Sequence, residues 1–453
     1  MKTRIYFPIE IHRREFLSRI VFALKGSNKK TSVVIGSKEE IYSKINFLRP
    51  GHYILKSVQH GLIDLVKGLK KQKFKISAID EEGLMHYDDQ YYLRRLGKNV
   101  INEIDTFFFC WGAKDKSLIE KNFPEISSKL LISGNTRINI LKEKYQSIYK
   151  DEISKIKSKY GEFFLVSTKF GKINFLPRKG YNEYVQGQVD RGYIKNNYSL
   201  DIAKQAKKHE KKNFELYLKF FENFSKKLPN KKLVILPHPG ENYETYKKIL
   251  KNFKNIQISL GEFSTESLLL ATQCNISCNC TTSVESFFLK KMPINFIPFS
   301  NENVEYSLPK LVSKNENDTD NLISFLANFN EEKMNKFFFK NVNLDEVQNN
   351  ISNEEAEEFM ISKLGEYQVK KNKLIENFLF RSFYFMKRFI RDNLAIFNST
   401  SDPLKKLKDQ KNPKITKKQL IEISEQLSKI IKVDKPIITE LFPGIFEFKN
   451  KSK

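Results

Sequence analysis

Short hydrophobic runs separated by amphipathic stretches dominate the first 300 residues of the chain. Six runs in the first half have the length of buried strands: residues 4–9, 33–36, 53–55, 74–79, 106–110 and 130–132. Helical periodicity lies between them, for example at residues 14–24 and 58–69. Strands that alternate with helices predict a parallel sheet covered by helices on both faces.

The same alternation begins again at residue 163. Further strands are predicted at residues 163–166, 233–236, 256–260, 275–277 and 294–297, and a long helix at about 200–227. We therefore predict an α/β protein with two Rossmann-like parallel-sheet domains, at residues 1–160 and 161–310. Beyond residue 310 helical patterns alternate with Asn-rich joints, which predicts a helical extension over residues 311–453 that packs back across the domains.

The charge of the chain is unusual, because 79 basic and 53 acidic residues give a net charge of +26. Such a surface suits nucleic acid, an anionic membrane or phosphate-bearing substrates. It also fits the composition expected from an AT-rich genome, since Lys, Asn, Ile and Phe are all abundant. Nucleic-acid readers favour Arg and place aromatic side chains on a binding face. No motif of that kind is present, so we do not expect a nucleic-acid partner.

No run of 18 apolar residues and no signal-peptide core is present, which predicts a cytoplasmic protein. Residues 374–397 are amphipathic, with phenylalanines near one side and basic residues around the remainder. This pattern fits a helix lying on the inner membrane surface, but it favours a helix that packs back on the protein itself. The four cysteines, at 110, 274, 278 and 280, lack nearby histidines or a second Cys pair, so we interpret them as buried thiols.

Ligands of open parallel sheets bind beyond the carboxyl ends of the strands, so candidate residues were sought directly after the predicted strands. The first group is Asp80, Glu81 and Glu82, which follow the strand ending at residue 79. A carboxylate in a partly closed cleft can serve as a general acid, a base or a nucleophile toward an anomeric carbon. We take all three as catalytic candidates; a solvated acidic turn is the alternative.

The second and third groups follow strands of the second domain. His238 and Pro239 form a strand–helix turn, where a histidine and the helix N-terminus can donate to phosphate. Asn279 precedes a hydroxyl-rich helix start that can cradle a phosphate, with a carboxylate one turn in that can accept from a ribose hydroxyl. The residues of this start are Thr281, Thr282, Ser283 and Glu285. A surface turn and ordinary N-caps are the alternatives.

The fourth group is Asn135 and Arg137, again between a strand and a helix. An arginine there can contact a phosphate or carboxylate of the substrate, or brace the domain. No Asp-x-Asp metal motif follows a predicted strand. We therefore expect metal-independent chemistry without a cofactor, in which a nucleotide sugar is the substrate.

These segments, in this order, resemble the bacterial surface-carbohydrate biosynthesis proteins. Those are GT-B proteins related to capsule and lipopolysaccharide Kdo transferases and, more remotely, to glycerophosphotransferases of teichoic acid synthesis. The resemblance is carried by Ile9-Glu10-Ile11, Arg14-Glu15, Asp80 to Gly83, Trp111-Gly112, Gly134 to Arg137, Ser167 to Phe170, His238-Pro239, Glu241-Asn242, Asn279 to Thr282 and Glu285. The chain departs from the family at Thr136, where proline is usual, and at Ser167 and Lys169, where asparagines are common.

The resemblance implies that the second domain holds a nucleotide through His238 and residues 281–285, with Lys169 on the phosphate side. It implies that the first domain faces the acceptor and carries a catalytic carboxylate. The implied activity is transfer of a sugar, with Kdo or another acidic sugar as a candidate, from a nucleotide donor, CMP-linked donors included. The acceptor would be a surface polysaccharide, a lipopolysaccharide or a lipid-linked glycan.

Two other functions remain open at this point. A sugar-nucleotide epimerase uses the same two-domain architecture and also surrounds its nucleotide with a histidine and carboxylates. A basic, non-catalytic protein that binds membrane or nucleic acid would instead show salt-sensitive binding without affinity for nucleotide sugars.

Overall fold

The structure is a computed structural model that describes residues 3–176, 184–190, 194, 196–367, 386 and 416–450. The chain divides into two compact units. Unit 1 comprises Met1–Leu84, Leu93–Ile140 and Gln348–Lys453, and unit 2 comprises Met85–Tyr92 and Leu141–Val347. Most of residues 374–397, including the predicted amphipathic face, lie outside the described residues.

The described strands follow each other along the chain as β1 Thr3–Tyr6, β2 Thr31–Gly36, β3 His52–Leu55, β4 Lys75–Ile79, β5 Phe108–Cys110, β6 Leu130–Ile132, β7 Phe164–Ser167, β8 Leu233–Leu236, β9 Ile256–Ile258, β10 Asn275–Ser277, β11 Pro293–Phe296, β12 Lys314–Glu316, β13 Ile437–Phe442 and β14 Ile445–Lys449.

The described α-helices are α1 His12–Gly26, α2 Lys38–Ser43, α3 Ile63–Lys71, α4 Asp89–Arg95, α5 Lys98–Ile101, α6 Ala113–Asn122, α7 Thr136–Asn139, α8 Lys150–Tyr160, α9 Tyr184–Asp190, α10 Asn197–Lys227, α11 Tyr243–Leu250, α12 Thr265–Ala271, α13 Thr281–Phe288, α14 Ser307–Leu311, α15 Thr319–Ala327, α16 Glu331–Asn341, α17 Leu344–Asn350, α18 Ala356–Gly365 and α19 Lys417–Ile431.

Unit 1 is built on an eight-stranded sheet in the order β13-β14-β2-β1-β3-β4-β5-β6. The six strands from β2 to β6 in this order are parallel, whereas β14 runs antiparallel to β2, and β13 antiparallel to β14. Strands β1, β2 and β3 are buried along their whole length. Burial on both faces explains why apolar residues follow each other in these strands and do not alternate with polar ones.

Unit 2 is built on a six-stranded, entirely parallel sheet in the order β12-β11-β10-β7-β8-β9. Its longest helix, α10, begins with a capping box in which the side chains of Asn196 and Ser199 each bond the other's backbone N–H. Aromatic residues of α10, among them Tyr217, Phe220 and Phe224, pack into the core of this sheet. The prediction of two parallel-sheet α/β domains is thereby confirmed.

The borders of the two units differ from the predicted limits. The change comes at residues 140/141 and not at 160/161, because α8 packs on α12 of unit 2. Glu152 of α8 accepts hydrogen bonds from the N–H of Ser264 at 3.0 Å and from its hydroxyl at 2.5 Å. Residues 311–347 also belong to unit 2, since β12 extends its sheet and α15 contributes Leu322, Ile323 and Leu326 to its core.

The predicted helical extension also contains strands that the sequence did not predict, because β13 and β14 form a hairpin that pairs with β2. Glu447 of β14 is buried and accepts from Arg4 of β1, with Nε–Oε1 at 2.8 Å and Nη2–Oε2 at 2.9 Å. A bidentate pair of this kind fixes both distance and orientation. The charged residues within the strand hide its hydrophobic pattern from sequence reasoning.

Two further expectations concern the cysteines and membrane-spanning helices. All four cysteines are free thiols and buried, as predicted. No helix within the described part of the chain is both long and apolar enough to span a bilayer.

Candidate functional site

The strand order of unit 2 places a topological switch point between β7 and β10. The chain continues from β7 to β8 and β9 on one side, whereas β10, β11 and β12 lie on the other side of β7. In open parallel sheets the crevice at such a point is where ligands bind. The residues directly after β7, β8 and β10 therefore form the candidate site of this unit.

Lys169 follows β7 and reaches the loop after β10. Its Nζ donates to the carbonyl oxygen of Asn279 at 2.8 Å and lies 3.9 Å from the centre of the Tyr306 ring. Tyr306 also stacks on Tyr87, with ring centres 5.0 Å apart. The cation is thus held at the switch point by a carbonyl and an aromatic ring.

Asn279 holds the backbone of this loop in place. Its φ of 52° lies in the left-handed region, which Asn adopts more readily than most residues. Its N–H donates to Asn295 Oδ1 at 2.9 Å, and its side-chain amide donates to the carbonyl of Tyr306 at 2.9 Å. Asn279 was predicted to contact a nucleotide; its buried side chain instead has these contacts within unit 2.

The loop leads into α13, whose first turn carries the predicted hydroxyls. Ser283 is buried and shares a hydrogen bond with Ser277 of β10, with oxygens 2.7 Å apart, so it attaches the helix to the sheet. The Thr282 hydroxyl oxygen is buried and has no hydrogen-bond partner among the described residues. Thr281 and Glu285 are partly exposed. An anion at this helix start would meet backbone N–H groups and the Thr282 hydroxyl.

His238 lies on the exposed turn after β8, followed by Pro239, which is partly exposed. Its Nδ1 accepts a hydrogen bond from the N–H of Gly240 at 3.0 Å. In the neutral ring the hydrogen is therefore on Nε2, which makes this nitrogen a donor. A donor at the carboxyl end of the strand next to β7 agrees with the predicted role toward phosphate.

Glu241 is a buried carboxylate that connects the loops after β7 and β8. It accepts from the Thr168 hydroxyl at 3.0 and 3.1 Å, from the N–H of Phe170 at 2.9 Å and from the Tyr246 hydroxyl at 2.5 Å. Burial raises the pKa of Glu241 to about 7, although these hydrogen bonds act in the opposite direction. The carboxylate is therefore close to half protonated at neutral pH.

Unit 1 has its own switch point between β1 and β3. Glu10 lies after β1 with its side chain 41% exposed, and its Oε2 is 3.1 Å from Lys56 Nζ and 3.5 Å from Lys38 Nζ. Partial burial acts to raise the pKa of Glu10, but Lys56 and Lys38 outweigh it and lower the pKa. A charged, solvent-accessible carboxylate thus lies where a ligand of this sheet would bind.

A buried network of charges extends from that point to the end of β4. Lys56 Nζ is 2.5 Å from Glu15 Oε1, and Arg19 Nη2 is 2.5 Å from Glu81 Oε1. Burial alone would raise the pKa of Glu81, but Arg19, Arg137 and Lys56 lower it to about 2. Glu81 is therefore charged and ion-paired throughout the neutral range.

The three predicted catalytic carboxylates lie in three different surroundings. Asp80 is fully buried and pairs with Arg95 at 3.2 Å, while its carbonyl accepts from the Trp111 indole at 2.7 Å. Glu81 belongs to the buried network. Only the side chain of Glu82 is largely exposed, at 56%. The structure does not present them as one group facing solvent.

Asn135 and Arg137, which come after β6, lie close to Glu81, which comes after β4, although β5 lies between these two strands. The Asn135 amide donates to Glu81 Oε2 at 3.2 Å, and Arg137 Nη1 is 3.5 Å from the same oxygen. Asn135 also caps α7 by accepting from the N–H of Arg137 at 2.8 Å. Both residues are buried, which favours the role of bracing the domain over contact with the substrate.

No protein-family model matches the chain, and no curated protein matches it. Among solved structures it is similar to UDP-GlcNAc 2-epimerase from Neisseria meningitidis bound to UDP-GlcNAc, with 14% identity over 81% of this chain and 100% of that chain and a TM-score of 0.48. It is also similar to the wall teichoic acid polymerase TagF, with 11% identity over 81% of this chain and 89% of that chain and a TM-score of 0.49. At these identities and TM-scores, the likenesses carry no conclusion about activity.

Sequence reasoning missed Arg19 and Lys56, which hold the network of unit 1 together. Lys56 directly follows β3, so the rule that pointed to residues 80–82 applies to it equally. Arg19 follows Glu15 by four residues on α1, a spacing that places both on one side of the helix. The contacts of Arg19 with Glu81 and Thr136 are made across the sheet and leave no local signal.

Proposed function

We propose that the chain is a GT-B-type glycosyltransferase that transfers a sugar from a nucleotide donor to a surface glycan. In this proposal unit 2 binds the nucleotide and unit 1 binds the acceptor. Kdo or another acidic sugar is the candidate donor sugar, with CMP or UDP as the nucleotide. The acceptor would be a polysaccharide or a lipid-linked glycan.

The observation that carries the proposal is the convergence of donor groups at the switch point of unit 2. Lys169 after β7, His238 after β8 and the start of α13 after β10 belong to three adjacent strands of one sheet. A cation, an imidazole N–H and a helix N-terminus all favour an anion. This combination suits the phosphates of a nucleotide sugar.

The same groups would support the chemistry. Cleavage of the sugar–phosphate bond leaves negative charge on the departing phosphate. Lys169 and the N–H groups of α13 would stabilise that charge without rearrangement, because they are already fixed by Asn279 and Ser283. No metal ion is needed for this step in the proposed mechanism.

The acceptor hydroxyl requires a base, for which Glu10 is better placed than the cluster after β4. Asp80 and Glu81 are buried and paired with arginines, so neither can approach an acceptor without losing its partner. Glu10 is also paired, with Lys56 and Lys38, but its side chain is 41% exposed and lies at the switch point of unit 1. Glu82 is the remaining accessible member of the predicted cluster.

Calorimetric titration with UDP, CMP and a panel of nucleotide sugars tests the proposal directly. We expect binding of at least one nucleotide, and loss of sugar from the donor only when an acceptor glycan is added. Turnover of the donor without any acceptor would point to an epimerase. Salt-sensitive binding to DNA or anionic vesicles without nucleotide affinity would point to a non-catalytic protein.

A further inference from the structure

Glu241 is buried, although the residues just before it in the sequence form a turn that is exposed or partly exposed. Its carboxylate is fully buried, yet it follows the turn of His238 at the carboxyl end of β8. Three hydrogen-bond donors surround it, the Thr168 hydroxyl, the Phe170 N–H and the Tyr246 hydroxyl. Two of the three come from the loop after β7, and the third comes from α11.

The two donors from the loop after β7 lie on either side of Lys169 in the sequence. Thr168 precedes Lys169 and Phe170 follows it, and both are bonded to the same carboxylate. The loops are also joined through their backbones, since Leu176 N–H donates to Gly240 at 2.8 Å and Asn242 N–H donates to Asn174 at 2.9 Å. The backbone of Lys169 is thereby fixed against the turn that carries His238.

A purely stabilising role does not account for this arrangement. Burying a carboxylate costs free energy, and apolar groups of similar volume often give equal or greater stability. The raised pKa of Glu241 reflects this cost. What the carboxylate supplies, and an apolar side chain does not, is a fixed direction for the loop on each side of Lys169.

We propose that Glu241 is a positioning residue that holds Lys169 in place for the diphosphate or phosphate of the donor. The inference rests on the proposed nucleotide site of unit 2 and adds to it a residue that touches no substrate. Glu241 acts through Thr168 and Phe170 on Lys169.

A double-mutant cycle with UDP and CMP as probes tests this coupling. Glu241→Ala is expected to weaken binding of the preferred nucleotide about tenfold or more, the usual effect of losing a hydrogen bond to a charged group. Lys169→Met should weaken it by a similar factor. In the Lys169→Met protein, adding Glu241→Ala should have little further effect, because the residue that it positions is already missing.

The conservative variant Glu241→Gln gives a second measurement of nucleotide affinity. A purely structural role of Glu241 would not change this affinity in the same way as a positioning role. In Glu241→Gln the amide oxygen can still accept from the Phe170 N–H, and the amide NH₂ can donate to the Thr168 or Tyr246 oxygen. We expect nucleotide affinity close to that of the wild type. If Glu241→Ala fails to fold, Thr168→Val removes one of the donors next to Lys169 and should show a smaller loss with the same dependence on Lys169.

Glu152 offers a matched control, because it is another carboxylate of unit 2 that accepts three hydrogen bonds, from the Ser264 N–H and hydroxyl and from the Ser267 hydroxyl. Glu152→Ala should lower thermal stability and leave UDP affinity unchanged. Additive effects of the Glu241 and Lys169 changes would overturn the inference and leave the nucleotide site standing. A wild-type protein that binds neither UDP nor CMP would refute the proposed function, and the inference with it.

Discussion

At the scale of single residues, the buried Glu241 carboxylate makes stability depend on pH. Its folded pKa of about 7 is above the ordinary value of 4.5, so the folded protein binds a proton more tightly than the unfolded chain. The stabilisation is complete below pH 4.5 and is lost as the pH rises through 7. Glu210 on α10 acts to raise this pKa further, whereas the Tyr246 hydroxyl lowers it.

We predict that Glu241→Gln removes this pH dependence. The free energy of unfolding of the wild type, relative to the variant, should fall by up to about 3 kcal/mol between pH 4.5 and 8, given 1.36 kcal/mol for each pKa unit. Urea unfolding of both proteins at intervals of one pH unit measures the difference. Parallel curves across this range would show that the carboxylate has an ordinary pKa.

A second residue-scale prediction concerns His238. His238→Ala should weaken CMP or UDP binding by about 1.5–3 kcal/mol, the usual range for a hydrogen bond to a charged group. The fold should survive, because the side chain lies on an exposed turn. Titration calorimetry measures the affinity, with Lys254→Ala as control, since Lys254 is exposed just before β9 at the amino end of the strands. Unchanged affinity in a folded His238→Ala protein would exclude His238 from the site.

At the scale of elements, the hairpin of β13 and β14 depends on one buried ion pair. Glu447→Ala would leave Arg4 buried without its partner carboxylate, which typically costs about 3–5 kcal/mol. Lys418→Ala serves as control, because Lys418 is exposed on α19 and its loss should change stability by less than about 0.5 kcal/mol. Chemical unfolding of both variants checks the difference. Equal stability would mean that the hairpin is held by its backbone pairing alone.

The elements that sequence reasoning found are those whose hydrophobic pattern is local. Helix α10 and strands β7, β8 and β10 were found because periodicity and strand length suffice to identify them. Strands β12 to β14 were missed, because Lys314, Glu316 and Glu447 interrupt their pattern with charges. Glu447 is satisfied by the distant Arg4, which no local window contains, whereas Lys314 and Glu316 pair with each other.

The candidate site, like the fold, could be predicted from the sequence only in part. The rule that ligands lie beyond strand ends led to His238 and residues 279–285, and the family resemblance added Lys169; the structure places all of them after adjacent strands. The rule did not separate exposed side chains from buried ones. Asp80 and Glu81 follow β4 as expected, but their arginine partners become visible only in three dimensions.

At the scale of the whole molecule, the catalytic carboxylate can be identified by comparing four variants in a transfer assay. We predict that Glu10→Gln lowers the rate about 10²- to 10⁴-fold, the usual yield of general acid–base catalysis, with nucleotide affinity of unit 2 unchanged. Glu82→Gln should retain near-normal turnover. Asp80→Asn and Glu81→Gln should lose stability first, because each removes the shorter of the ion pairs that Arg95 and Arg19 make.

The outcomes separate the alternatives. A large rate loss in a stable Glu82→Gln protein, with Glu10→Gln active, would return the catalytic role to the cluster after β4. Thermal melting of each variant distinguishes lost chemistry from lost structure. Full activity of all four variants would place the base outside both groups.

The hairpin also has a consequence for the order in which the protein is made. A ribosome delivers β1 and β2 before the strands of unit 2, but β14, the neighbour of β2, leaves it more than 400 residues after β2. Unit 2, whose segments lie within residues 85–347, can complete its sheet while that neighbour is still unsynthesised. The open edge of β2 is meanwhile a template for pairing with other nascent chains. The sheet of unit 1 is thus started before that of unit 2 and closed after it.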